Sequence, residues 1–144
     1  MIILQDCREK KGQHNLVEST LKEKGYSLKR VRLNVGDYMF PNGKVSVDLK
    51  SGGVEELASD LYRDKLAFNK KYKKCLLDGI KLIVLVEEEI KSMQDLVNWK
   101  SKHSRINGSY LVEMIHTIKV SYGVRFVFCS PNKTPLRLLE LLKE

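Results

Sequence analysis

Gly36-Asp37-Tyr38-Met39-Phe40-Pro41-Asn42-Gly43-Lys44-Val45-Ser46-Val47-Asp48-Leu49-Lys50 reads as a β-hairpin. Asn42-Gly43 is a favoured two-residue turn, because both central positions of such a turn need positive φ. With that turn, Pro41 faces Lys44, Phe40 faces Val45, Met39 faces Ser46, Tyr38 faces Val47 and Asp37 faces Asp48. Side chains alternate between faces along a strand, and cross-strand partners share one. Tyr38, Phe40, Val45, Val47 and Leu49 therefore make an apolar face, while Asp37, Asp48 and Lys50 meet on the other.

Two carboxylates directly opposite each other repel and lower stability. A cation between them removes the conflict. Oxygen-only sites with open positions suit Mg²⁺ or Mn²⁺, and a lysine two residues on reaches the same centre. That grouping is the one used in metal-assisted phosphodiester hydrolysis. The competing reading is a salt-bridged hairpin whose polar face is simply solvated.

The chain has 144 residues, 42% hydrophobic and 31% charged, which describes one globular domain spanning 1–144. Its longest apolar run, Leu82-Ile83-Val84-Leu85-Val86, is too short to cross a bilayer, so no membrane partner is expected. The amino terminus has no basic stretch ahead of a long apolar one, and so does not read as a signal peptide. Cys7, Cys75 and Cys129 are widely spaced without metal-ligand spacing, and fit reduced thiols in a cytoplasmic setting. His14, His103 and His116 are scattered, which argues against zinc. The net charge of +8 suits a polyanionic partner. Its excess is concentrated in Arg63, Lys65, Lys70, Lys71, Lys73 and Lys74, a run that is either a solvated helix face or a surface that tracks phosphates.

Around the hairpin, Ile2 to Gln5 reads as a strand and Gln13 to Lys24 as a helix ended by Gly25, followed by a β-rich run from Leu28 to Leu33. Leu57, Leu61, Phe68, Tyr72 and Cys75 fall on one helical stripe, predicting a single long helix from about Val54 to Leu77. Strands at Lys81 to Glu87 and Val124 to Cys129 enclose helical patterns at Ser92 to Lys102 and Ser109 to Ser121. Thr134 caps a last helix from Pro135 to Leu142. This alternation is that of an α/β domain with helices over a central mixed sheet.

At these residues the chain resembles XPF-type structure-specific endonucleases. Asp6-Cys7-Arg8-Glu9 is similar to that family's Asp-x-Arg-Glu, Gly36-Asp37-Tyr38 to its Gly-Asp-Tyr, and Asp48-Leu49-Lys50 stands where it has Glu-Arg-Lys. Lys65-Leu66-Ala67-Phe68-Asn69 resembles its Arg-Leu-x-x-Gln. The family's aspartate four residues after the lysine falls on Val54, with Glu55 and Glu56 next to it as substitutes. The resemblance implies a restriction-endonuclease-like core of the PD-(D/E)XK superfamily and Mg²⁺-dependent cleavage of DNA, branched or flapped, in repair or recombination. Many members of that family carry a helix-hairpin-helix module after the nuclease domain; residues 1–144 are expected to form the nuclease domain alone, without that module. The implied metal ligands are Asp37, Asp48 and the Leu49 carbonyl, completed by Asp6 and Glu9. Lys50 would position or deprotonate the attacking water, or stabilise charge developing on phosphorus. Arg8, Arg63, Lys65, Lys70, Lys71, Lys73 and Lys74 would contact DNA.

Asp6 also reads as a turn residue bonding nearby backbone, and Glu9 as an exposed charge. Trp99, on an amphipathic segment, reads as core or interface rather than a stacking platform. The leucines at 136, 138, 139, 141 and 142 exceed what one helix face usually buries, which predicts a homodimer or heterodimer through this domain. The alternative function is a non-catalytic DNA-binding or scaffold subunit, which would need the basic helix but not Asp37, Asp48 and Lys50 together.

Overall fold

The computed structural model describes residues 1–8, 12–63 and 65–144. Six strands form one mixed sheet: β1 (Ile2–Asp6), β2 (Ser27–Val31), β3 (Tyr38–Met39), β4 (Val45–Lys50), β5 (Lys81–Glu87) and β6 (Arg125–Cys129). Their order across the sheet is β2-β1-β3-β4-β5-β6. The β1–β2, β4–β5 and β5–β6 pairs are parallel, and β3 runs antiparallel to both its neighbours. Parallel neighbours need crossover helices, and those helices cover both faces.

On one face lie α1 (Asn15–Glu23) and α6 (Thr134–Leu142), packed with Ile3, Tyr38, Val47, Leu49 and Leu85. On the other lie α2 (Gly53–Arg63), α3 (Lys65–Leu77), α4 (Met93–Val97) and α5 (Gly108–Tyr122), packed with Val84 and Val86. All six residues of β4 are buried. Val45, Val47 and Leu49 point toward α1 and α6, which leaves Ser46, Asp48 and Lys50 beneath α2 and α3.

The hairpin register is the expected one, Tyr38 opposite Val47 and Met39 opposite Ser46. Its turn is not. Gly43 N–H donates to the Phe40 carbonyl at 2.9 Å, so Pro41 and Asn42 are the central residues, and Asn42 carries the positive φ of 61°. Proline presets the first central position and asparagine tolerates the second, as in a type II turn. At the other end, Gly36 takes a φ of 76°, and a Cβ there would stand 2.1 Å from Ser46 Oγ. Only glycine delivers Asp37 to β4 along that path.

Three further expectations change. The stripe from Leu57 to Cys75 is carried on two helices, α2 and α3, rather than one. Asp64 and Lys65 stand three and four residues after Leu61, where a continuous stripe needs apolar side chains. The helix expected at Ser92 to Lys102 is the single turn and a half of α4, capped by Ser92, after which Lys100 bridges Asn107. Leu138, Leu139, Leu141 and Leu142 are buried in this chain's own core, so of the five leucines only Leu136 is exposed. That group is therefore no argument for an interface. Trp99 packs against the α2–α5 core, as expected.

Candidate active site

The end of β4 is where the chemistry-bearing residues gather. Beyond Tyr38, the carboxylate of Asp37 takes over from the backbone ladder: its Oδ2 accepts the Leu49 N–H at 2.7 Å. A residue's N–H and C=O leave a strand on the same side, so the Leu49 carbonyl lies on the Asp37 side as well. The carboxyls of Asp37 and Asp48 are within hydrogen-bonding reach of one another, and both residues are buried.

Lysines answer the acids. Lys50 Nζ lies 3.3 Å from Asp48 Oδ2 and 2.7 Å from Asp60 Oδ2. Lys71 Nζ reaches the same Asp48 oxygen at 3.2 Å. The Phe68 ring stands 5.3 Å from each ammonium, so its π-face shares their charge. Burial works against an ionised Asp48, but Lys71 and Lys50 outweigh it and hold its pKa below the usual carboxylate range. Burial likewise opposes the charge on Lys50, yet Asp48 and Asp60 prevail and raise its pKa. Lys50 therefore carries its proton at neutral pH, with hydrogens to donate. Burial pushes Glu56 up, with Asp60 and Asp48 in the same direction.

Asp60 escaped the sequence reading. The signal was present: Glu56 and Asp60 lie four apart on α2, on the side away from Leu57 and Leu61, and α2 follows β4 after only Ser51 and Gly52. Of the two substitutes beside Val54, Glu56 faces Lys50, accepting Gly52 N–H at 2.9 Å. Glu55 instead binds Ser101 Oγ at 2.9 Å and the Lys102 N–H. Val54 is in the core.

The remaining expected residues scatter. The Asp6 carboxylate accepts from Arg8 Nε at 2.9 Å and from Leu33 N–H at 3.0 Å, tying β1 to the segment after β2. Arg8 also donates to the Leu33 carbonyl. Glu9 lies outside the described residues. Arg63, Lys65, Lys70, Lys73 and Lys74 are exposed, whereas Lys71 is half-buried and turned to Asp48.

The donor set fits a hard divalent cation. Two carboxylates this close do not both ionise without positive charge beside them. Mg²⁺ takes one or two carboxylates and keeps several waters. Among the described residues no three His, Cys, Asp or Glu side chains converge into a metal-holding group.

No family model matches the chain, and no curated protein matches it in sequence. Solved structures do match. XPF from Aeropyrum pernix superposes with a TM-score of 0.71 at 19% identity, over 99% of this chain and 60% of that one. A structure of XPF from Aeropyrum pernix in complex with DNA gives 0.69 at 19% identity, over 99% and 63%. The chain thus spans about three fifths of the length of these neighbours. The fold is XPF-like, an α/β architecture with a mixed six-stranded sheet between helices.

Proposed function

We propose that this chain is a divalent-metal-dependent endonuclease that hydrolyses DNA phosphodiester bonds at branched or flapped structures, in repair or recombination. The observation that carries the reading is the buried meeting of Asp37 and Asp48 with Lys50 on the same face of β4. Buried carboxylates placed side by side are costly unless positive charge answers them, and such arrangements cluster at functional sites. The fold likeness to XPF, one of whose structures is a DNA complex, supports the polymer.

Asp37, Asp48 and the Leu49 carbonyl would hold Mg²⁺ or Mn²⁺. Such an ion, when bound, polarises the scissile phosphate and lowers the pKa of its water. Lys50, kept protonated by Asp48 and Asp60, donates to the attacking water or to a phosphate oxygen as charge builds. Asp60 shares with Asp48 the task of holding that donor in place. Lys71 competes with any cation for Asp48 Oδ2, and its partial exposure gives it room to move onto phosphate. The exposed lysines of α3 supply a track for the DNA backbone. Free thiols at Cys7, Cys75 and Cys129 suit a reducing, cytoplasm-like compartment.

One observation favours the non-catalytic alternative: Asp48 already has two lysine partners, as a purely structural ion-pair network would. A nicking assay separates the two readings. A labelled branched duplex should be cut when Mg²⁺ or Mn²⁺ is added, and Lys50→Ala should slow cutting by roughly 10²-fold while retaining calorimetric metal binding. Intact DNA under every metal condition would leave only a binding or scaffold role.

A further inference from the structure

We propose that the cleft between α3 and α5 receives an unpaired nucleobase of the DNA strand that crosses the carboxylate centre. The inference deepens the nuclease reading and rests on it. The cleft has a volume of ≈ 250 Å³. That is below the roughly 300–1,000 Å³ of pockets for larger small molecules, and suits one flat ring system. Its walls are aromatic: Phe68 and Tyr72 from α3, Tyr110 and Tyr122 from α5. Tyr72 lies 5.9 Å from the rings of both Phe68 and Tyr122, while Tyr110 stands exposed at the mouth, edge-on to Tyr62 at 6.3 Å.

Two of these walls also border the catalytic residues. Phe68 is the ring that Lys50 and Lys71 share, and Tyr72 lies close enough to Asp48 for that charge to raise its pKa further after burial has done so. A nucleotide whose phosphate sits at Lys50 and Lys71 therefore has an aromatic slot one side chain away. Within the lining Lys65 and Glu113 balance, so the attraction for a nucleotide comes from Lys50 and Lys71 behind the Phe68 wall. Asn69 and Thr117, also in the lining, can bond a base edge while the rings stack on its face. Stacking of this kind is tolerant of sequence and serves unpaired strands, since a base within a duplex has no free face to offer.

The test uses the whole chain without added divalent metal, and duplexes carrying 2-aminopurine either unpaired at a junction or fully paired. Wild type should change the fluorescence of the unpaired probe and bind the unpaired substrate more tightly. Tyr110→Ala should lower that preference by roughly tenfold, the scale of losing one stacking partner. Thr117→Trp, which fills the cleft from an exposed position, should abolish it. Tyr110→Phe, which keeps the ring, should retain it. Equal affinity of wild type for paired and unpaired substrates, or an unaltered preference in both Tyr110→Ala and Thr117→Trp, overturns the proposal while leaving a nuclease possible. Failure to bind any of these DNAs, even when the assay is repeated with Ca²⁺ as the divalent ion, removes the nuclease reading and this one with it.

Discussion

Asp48 is the residue on which the electrostatics of the centre turn. The opposition of Asp37 and Asp48 alone predicts that neutralising either relieves repulsion and leaves the fold unharmed or firmer. The two lysines on Asp48 reverse that expectation. Asp48→Asn keeps an amide oxygen but removes the negative charge that Lys50 and Lys71 share, so the metal-free variant should be less stable by about 1.5–3 kcal/mol, the range for a hydrogen bond to a charged group. The linkage has a definite sign. Because the folded-state pKa of Asp48 is lowered, its contribution is fully present above the unfolded value near 3.8 and is lost as pH falls through the lowered one. Wild type should therefore show a steeper acid limb than Asp48→Asn, with the two curves converging at the lowest pH. Thermal melts followed by the fluorescence of the single Trp99 measure both effects. A variant as stable as wild type at neutral pH would mean that the lysine contacts contribute nothing net.

Helix α3 divides its lysines between two tasks. Lys71 belongs to the centre, while Lys70, Lys73 and Lys74 face solvent. Replacing the latter three with serine should weaken DNA binding whatever the sequence, and reduce the log–log salt slope by about 0.9 for every phosphate no longer neutralised. Unchanged affinity and slope would make them a solvated face. Helical spacing could not separate Lys71 from its neighbours, because it says which residues share a side but not what stands opposite. The hairpin shows the converse. Its register was legible although its turn was assigned one residue too late, since Tyr38, Val45, Val47 and Leu49 fix the pairing through burial whatever links the strands. Asp37, Asp48 and Lys50 were legible because neighbours on a strand are geometric consequences of position. Asp60 and the grip of Arg8 on Asp6 were not, because the path of the chain on leaving β4 and β1, and not position on one strand, decides whether those side chains meet.

At the scale of the whole molecule, association between copies remains a proposal that the terminal leucines no longer support. Val120 is left exposed instead, on α5. If pairing uses that helix, light scattering should report a dimer at micromolar concentration and a monomer for Val120→Glu; a monomeric wild type rejects it. The placing of Asp48 and Lys50 has another consequence. Their strand is interior to the sheet, paired with β3 and β5, and buried along its length. Amide protons of such a strand exchange with solvent only when the domain opens as a whole, so they should be among the slowest in the protein. The acidic centre then has no private route to disorder. The α3 side chains over it can shift, but the backbone that carries Asp48 and Lys50 keeps its place until the molecule itself unfolds.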